Sequence, residues 1–379
     1  MTEKYSGKQI IKAGKCLIDV NISQDDEAFL QATEVLSYWR YSHEEALESA
    51  FVLVQEVALK HDRRAIFAKR LKRLVSIRSK LQRFQKMKLN RMQDIGGCRI
   101  IVSSDKKLRR ILKELKKKPE FNGGGNFREK DYIKTPKEDG YRSVHLTGKF
   151  QNKSIEIQLR TKLQHYWATA LEIVDIFTGQ ALKSNQGEKQ WKHFFLNVSR
   201  QFAIMESIHL FDNLAVEEKQ KLYNQALQQS KENINSCLQV QKYSKELEVI
   251  DILEAYAGSL QVVDTKLADK ELGQGYLLLT IDLEKAMVTT AFYPSDKSKT
   301  AEEDYIENER KLAENGNHIV ALVSTSALGD IKQAYPNYFA DSREFVMNLV
   351  LVLNIKVIKK RSILSKLFST ERLGDLKDI

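Results

Sequence analysis

Cysteine is scarce: Cys16, Cys98 and Cys237 are the only three in 379 residues. They are odd in number, far apart and form no CxxC pair, which argues against a disulfide framework and against a cysteine zinc site. No apolar run approaches the roughly 20 residues that span a bilayer. The N-terminal stretch MTEKYSGKQIIKAGK has no unbroken apolar core of the signal-peptide kind, so a cytoplasmic protein without a membrane partner is expected. Internal repeats and low-complexity segments are missing too. What remains, 42% hydrophobic and 29% charged residues, is the composition of a globular chain long enough for two or three domains.

Acidic charge is scarce in one region. The net charge is +11, and from Lys60 to Lys118 there are 22 Lys and Arg against 4 Asp and Glu. Such a block attracts phosphate, on a nucleotide or along a nucleic-acid backbone. A solvated basic face is the bland alternative.

Residues 1–60 read as helices, with Ser42 and Glu45 as a capping box and Ala46, Ala50, Leu53, Val54 and Val57 on one face. AKRLKRLVSIRSKLQRF reads as a further helix with Leu71, Leu74, Ile77 and Leu81 inward. CRIIVS is a strand, KKLRRILKELKKK an amphipathic helix ending before Pro119, and NGGGN at 122–126 a flexible loop. YRSVHLTGKF and KSIEIQLRT alternate with period two around a polar QN and predict a hairpin. The chain then turns helical, with Trp191, Phe194, Phe195, Val198, Phe202 and Met205 on one apolar face. Residues 215–257 predict charged helices, as an arm or a helical hairpin.

Near Gly258 the pattern changes again. GYLLLTIDLEKAMVTTAFYP predicts a hairpin, AEEDYIENERKLAENG a helix and HIVALVSTS a strand. SREFVMNLVLVLNIKVIKK is expected to close the unit as a helix or strand. The divisions expected are N-terminal helices at 1–60, a core at 61–210, a helical connector at 211–257, a small C-terminal α/β domain at 258–360 and a polar tail at 361–379.

Three features of the core point to chemistry. Asp94 precedes or enters the first strand, Glu156 sits on the last strand of the hairpin, and Tyr141 opens the hairpin after an EDG turn. Two carboxylates on neighbouring strands can converge on Mg²⁺, which takes one or two of them and leaves its other positions to water and phosphate. Gly96 and Gly97 would let backbone approach a phosphate. Alternation puts Glu156, Gln158 and Arg160 on one strand face, with Ile155 and Ile157 on the other. A carboxylate beside a guanidinium is equally the pattern of a structural ion pair.

Four motifs then stand in order: Arg73 to Lys80 (RLVSIRSK), Asp94 to Arg99 (DIGGCR), Asp131 to His145 (DYIKTPKEDGYRSVH) and Glu156 to Thr161 (EIQLRT). They resemble the RelA/SpoT family of pyrophosphokinases over about residues 60–210. Within it, YSGKQIIKAGK, EVLSYWRYSH and RLKRLVSI resemble the toxic small alarmone synthetases and the fused CapRel-type toxin–antitoxin proteins. The resemblance implies a mixed α/β (α+β) nucleotidyltransferase-like sheet flanked by helices, with ATP as pyrophosphate donor and Mg²⁺ as cofactor. It implies Asp94 and Glu156 as metal-binding and catalytic carboxylates, and Arg70, Lys72, Ser76, Arg78 and Lys80 as the ATP grip. Tyr141 would stack on the acceptor base, with Lys134, Arg142, His145, Gln158 and Arg160 meeting the rest of the acceptor.

Alarmone makers of the family usually carry an E-H-x-x-x-Y-K run after a W-A pair. Here Trp167 and Ala168 lead to Glu172 followed by IVDIFTG, without the His or the Tyr-Lys. The resemblance to the toxic branch implies the 3′ end of tRNA as acceptor, in a translation-blocking toxin, and the basic block suits an RNA backbone, with GDP or GTP as the alternative and an inactive RNA-binding module as a third reading. His61-Asp62 is the one adjacent His-Asp pair, so no hydrolase is expected. The C-terminal domain, through Tyr335, Tyr338 and Phe339, is expected to restrain the core or to receive a phage-protein trigger, the same rings being equally suited to that domain's own core.

Overall fold

The computed structural model describes residues 4–22, 26–122, 128–178, 182, 187–259, 261–262, 275–282, 284–285, 287–312, 318–324 and 341–355. Three helices come first: α1 (Gly7–Cys16), α2 (Glu27–Tyr41) and α3 (Glu44–His61). A capping box does form at the N-terminus, but on α1: Ser6 accepts from the backbone of Gln9, whose side chain returns to Ser6. The box expected at Ser42 and Glu45 does not. Ser42 is still helical at the end of α2, so its hydroxyl turns back to the carbonyl of Trp39 at 2.8 Å, and His43 precedes α3 without a side-chain cap.

The central sheet contains β1 (Ile66–Leu71), β2 (Gly96–Val102), β3 (Arg128–Asp131), β4 (Val144–Phe150) and β5 (Lys153–Thr161), in the order β1-β2-β5-β4-β3. Only the β2–β5 pairing is parallel. The hairpin, the strand at CRIIV and α5 (Asp105–Leu115) stand where the sequence predicts them. β1 does not: AKRL, expected as helix, is strand. Its residues alternate, Phe67 and Lys69 toward one face and Ala68 and Arg70 toward the other, and pairing from Ile66–Ile101 to Leu71–Gly96 takes the segment into the sheet. The helix starts only at Leu74, as α4 (Leu74–Arg83), and buries Leu74, Ile77 and Leu81. The short α6 (Pro119–Asn122) follows α5, and four of the five NGGGN residues lie outside the described residues.

One sheet face is apolar. Phe67, Ile100, Ile155, Ile157, Val144 and Leu146 pack beneath Ala50, Phe51 and Val54 of α3 and Leu108 and Ile111 of α5. Burying such side chains stabilises by about 1.5–3 kcal/mol each. The opposite face carries the polar members of the same strands.

Beyond β5 come α7 (Lys162–Thr178), α8 (Lys189–Ser207), α9 (Val216–Leu227), α10 (Lys231–Glu246) and α11 (Val249–Ser259). The six-residue stripe from Trp191 to Met205 is buried, and α10 packs along α8 through Cys237 and Val240 rather than standing out as an arm. A second sheet, in the order β6-β8-β7-β9, contains β6 (Gln261–Val262), β7 (Gly275–Asp282), β8 (Met287–Pro294) and β9 (His318–Ser324). It is covered by α12 (Ser298–Leu312). The segment expected to close this unit is helical, α13 (Arg343–Leu353), but it packs elsewhere. Phe345 sits among Phe194, Phe195 and Phe202, and the amide of Gln241 donates to the carbonyls of Val352 and Ile355 at 3.1 and 2.9 Å. A chain ended at residue 257 would lose this helix from its core. Among the described residues no helix is long and apolar enough to cross a membrane.

Candidate active site

The polar sheet face gathers residues from four strands. Arg70 on β1 pairs in register with Gly97 on β2, and Gly97 with Glu156 on β5. Arg99 pairs with Gln158, and Gln158 with His145 on β4. Period-two alternation places these side chains together. The two glycines differ in surroundings. A Cβ on Gly96 would stand 2.8 Å from the side chain of Ile155, so that position is small for packing. A Cβ on Gly97 would meet only the Glu156 carbonyl, at 3.6 Å, leaving that side open to a ligand.

At one end of this face lies a cationic cradle. Asp94 stands in the turn before β2, and its Oδ2 accepts from the ammonium groups of Lys72 at 2.9 Å and Lys80 at 2.8 Å. The backbone fixes Lys72, whose N–H donates to the Ile95 carbonyl at 2.7 Å. Burial would raise the Asp94 carboxyl pKa, but Lys72 and then Lys80 outweigh it and hold it below the usual range. Its other oxygen, Oδ1, is buried without a hydrogen-bond partner, and the charge of Glu156 is close enough to act on it. An orphaned carboxylate oxygen with a second carboxylate nearby fits a divalent cation, and no cluster of three or more His, Cys, Asp or Glu competes for one among the described residues. Ser76 lies half-buried on α4, the helix that carries Lys80, whereas Arg78 turns away: its Nε donates to the Leu17 carbonyl at 3.0 Å and its guanidinium covers Phe29.

Five side chains, Glu156 among them, close a ring. Glu156 Oε1 lies 3.1 Å from His145 Nδ1, and His145 Nε2 lies 2.7 Å from the Tyr141 hydroxyl. Arg160 Nη2 donates to that hydroxyl at 2.8 Å and to Gln158 Oε1 at 3.1 Å, and Gln158 Nε2 returns to Glu156 Oε2 at 2.7 Å. Burial opposes ionisation of Glu156, yet the bonds from His145 and Gln158 take its carboxyl down to about 2. Tyr141 behaves alike: burial pushes it up, but Arg160 and then His145 bring it to about 7. Burial would lower the His145 pKa, and Tyr141 with Glu156 raises it instead.

The EDG turn aims Tyr141 into the ring. Gly140 has φ of +89°, a conformation that favours glycine, and the Tyr141 N–H donates to Asp139 Oδ1 at 2.8 Å. Asp131 shapes the preceding loop by accepting from the N–H groups of Ile133 and Lys134, both at 3.0 Å, while Arg109 holds its carboxylate. Lys134 itself is exposed. Arg142 points to α8 and pairs with Glu206 at 2.5 Å, away from the ring.

Two participants were not singled out from the sequence. Lys137 places its ammonium 4.6 Å from the Tyr141 ring centre and 4.8 Å from that of Tyr132, covering an aromatic face. Its place inside TPKEDGY was the available signal. Arg99, flanked by Arg160, Arg70 and Glu172, is pushed down to about 10 by burial, and its Nε has no hydrogen-bond partner. The aromatic trio Tyr335, Tyr338 and Phe339 lies outside the described residues.

Comparison with known proteins gives one family model, the region found in RelA / SpoT proteins, over residues 69–173. A curated relative, GTP pyrophosphokinase YwaC of Bacillus subtilis (strain 168), is 33% identical over 142 residues. That match covers 33% of this chain and 66% of the relative's length. Solved structures that resemble the chain include small alarmone synthetase 1 of Bacillus subtilis bound to its product pppGpp. It has 23% identity and a TM-score of 0.38, covering 45% of this chain and 93% of the other. A GTP pyrophosphokinase family protein from Streptococcus pneumoniae gives 20% identity and a TM-score of 0.37, covering 49% and 96%.

Proposed function

We propose that this chain, which carries a RelA/SpoT region over residues 69–173, moves the β,γ-pyrophosphate of ATP onto the 3′-hydroxyl of a nucleotide acceptor. The observation that carries the reading is one sheet face with two halves. The Lys72–Asp94–Lys80 cradle lies at one end, and the Glu156 ring crosses the adjacent strands.

Lys72, Lys80 and Arg70 bind the triphosphate and balance its charge. Asp94 and Glu156 would hold Mg²⁺, which when bound neutralises the triphosphate and fixes its geometry. Glu156 orients the 3′-hydroxyl. A carboxyl held at about 2 is a weak proton acceptor, so orientation is its main role until an acceptor displaces His145 from it. The 3′-oxygen attacks the β-phosphorus in line and gives its proton to Glu156 once His145 is displaced, the bond from the β-phosphorus to the α,β-bridging oxygen breaks, and AMP leaves. Tyr141 offers its ring to the acceptor base, which takes the place of the Lys137 ammonium over that ring.

The acceptor in this proposal is the 3′ end of tRNA. The basic run from Lys60 to Lys118 suits an RNA backbone, and the residues after Glu172 lack the His and Tyr-Lys of the alarmone makers' pattern. GDP or GTP is the second reading, favoured by the name of the Bacillus subtilis relative. Full-length protein given γ-labelled ATP with either tRNA or GDP separates them. Label on tRNA alone is the expected result, label on GDP alone replaces the acceptor, and no transfer to either overturns the activity.

A further inference from the structure

Arg40, on α2, is almost fully buried and lies outside both halves of the site. Its Nε donates to the backbone carbonyl of Lys72 at 2.8 Å. Lys72 is the residue whose N–H is tied to Ile95 and whose ammonium holds Asp94. The charge of Arg40 is answered from a distant part of the sequence. Glu302 Oε1 lies 3.8 Å from its Nη1, and its guanidinium sits 4.7 Å from the ring centre of Tyr305. Both residues are on α12, which also buries Glu309. A buried cation without partners is very costly, so this contact is a condition for Arg40 staying where it is.

We infer that Arg40 is a positioning residue for the ATP side of the site, sustained in place by Glu302 and Tyr305 of the C-terminal unit. Arg40 fixes the Lys72 backbone between two anchors, its carbonyl on Arg40 and its N–H on Ile95. The ammonium then meets Asp94 and the triphosphate without a search. The C-terminal unit is in this respect a working part of the donor site, opposite in sense to the restraint expected from the sequence. Nothing in the contact touches the Tyr141–His145 end, so the effect is confined to the donor.

The inference rests on the proposed donor site, and the test keeps the two apart. Full-length wild type, Arg40→Lys, Arg40→Met and Glu302→Gln are compared by calorimetric binding of a non-hydrolysable ATP analogue with Mg²⁺, and by KM for ATP and for the acceptor. Arg40→Lys keeps the buried charge but cannot donate in the plane of the guanidinium, and it guards against misfolding in Arg40→Met. Loss of the charge-assisted hydrogen bond to the Lys72 carbonyl predicts donor affinity weakened roughly tenfold in Arg40→Lys, loss of the carboxylate facing the buried guanidinium predicts a drop in the same direction in Glu302→Gln, and acceptor KM should stay within about twofold of wild type in both. The double variant Arg40→Met/Glu302→Gln should be no weaker than Arg40→Met alone, because both act through one contact. Unchanged analogue binding in folded Arg40→Lys and Glu302→Gln overturns the inference, as does an equal loss for donor and acceptor. Wild type that binds the analogue but transfers nothing sinks the proposed reaction only, and the binding arm still judges Arg40. Wild type that binds no analogue sinks both.

Discussion

The hydroxyl of Tyr141 lies 2.7 Å from Nε2 of His145, and Arg160 reaches the same oxygen from 2.8 Å. Burial works against a phenolate, so the pull of Arg160, followed by that of His145, decides its state and sets its pKa at about 7 instead of 10.0. Wild type should show a step in tyrosinate absorbance centred near 7, which vanishes in Tyr141→Phe. A wild-type protein in which no tyrosine titrates below 10.0 refutes this ring.

Tyr141→Ala and Tyr141→Phe separate the ring face from the hydroxyl. Stacking is worth about 1–3 kcal/mol per base, so Tyr141→Ala should raise acceptor KM about 5- to 150-fold while ATP affinity is held. Tyr141→Phe keeps the face and should raise it far less. If ATP affinity falls as far as acceptor affinity in Tyr141→Ala, stacking is the wrong role.

Asp94→Asn and Glu156→Gln preserve shape and remove charge. Pyrophosphate transfer should fall by roughly 10²-fold or more in each, with circular dichroism showing a folded protein. Full activity in Glu156→Gln would exclude it from the chemistry.

Glu156 also makes stability depend on acid. Its folded pKa is depressed, from 4.5 to about 2, so its contribution is present above 4.5 and is lost as pH falls toward 2. The denaturation midpoint of wild type should drop across that window by more than that of Glu156→Gln. Parallel profiles for the two proteins would contradict the assignment.

Gly140→Ala tests the turn. The residue has φ of +89°, and a Cβ would lie 3.0 Å from the Leu196 Cα and 3.1 Å from the Ser199 Cβ. A loss of about 1–3 kcal/mol in denaturant unfolding is expected, together with raised acceptor KM because Tyr141 is displaced. An unchanged midpoint would show that the turn relaxes freely.

Much of the site is written locally. The alternation of KSIEIQLRT puts Glu156, Gln158 and Arg160 on one face whatever that face meets, because side chains of a strand alternate by geometry alone. The EDG turn before Tyr141 and the strand after Asp94 are equally local, and so are the four motifs that mark the RelA/SpoT region. The sequence by itself therefore determined the hairpin, the two carboxylates and the aromatic at the turn.

Tertiary structure decided the rest. Whether AKRL is helix or strand depends on the edge of β2 it pairs with, since Ala68 and Leu71 stand at helical spacing and only the ladder sends them to opposite faces. The ring closes only because β4 and β5 pair with His145 opposite Gln158, a register that the two segments do not carry separately. Arg78 and Arg142, good phosphate ligands by type, are drawn to Leu17 and Glu206 by packing of distant helices. α13 returns to α8 and α10 because Phe345 fits among Phe194, Phe195 and Phe202, not because of any pattern in its own residues. Arg40 and Glu302 meet from 262 positions apart in the sequence, and only the buried space between α2 and α12 makes each the condition of the other. Periodicity fixes which way a side chain faces; what it faces is set by long-range packing, where desolvation makes every unpaired charge costly.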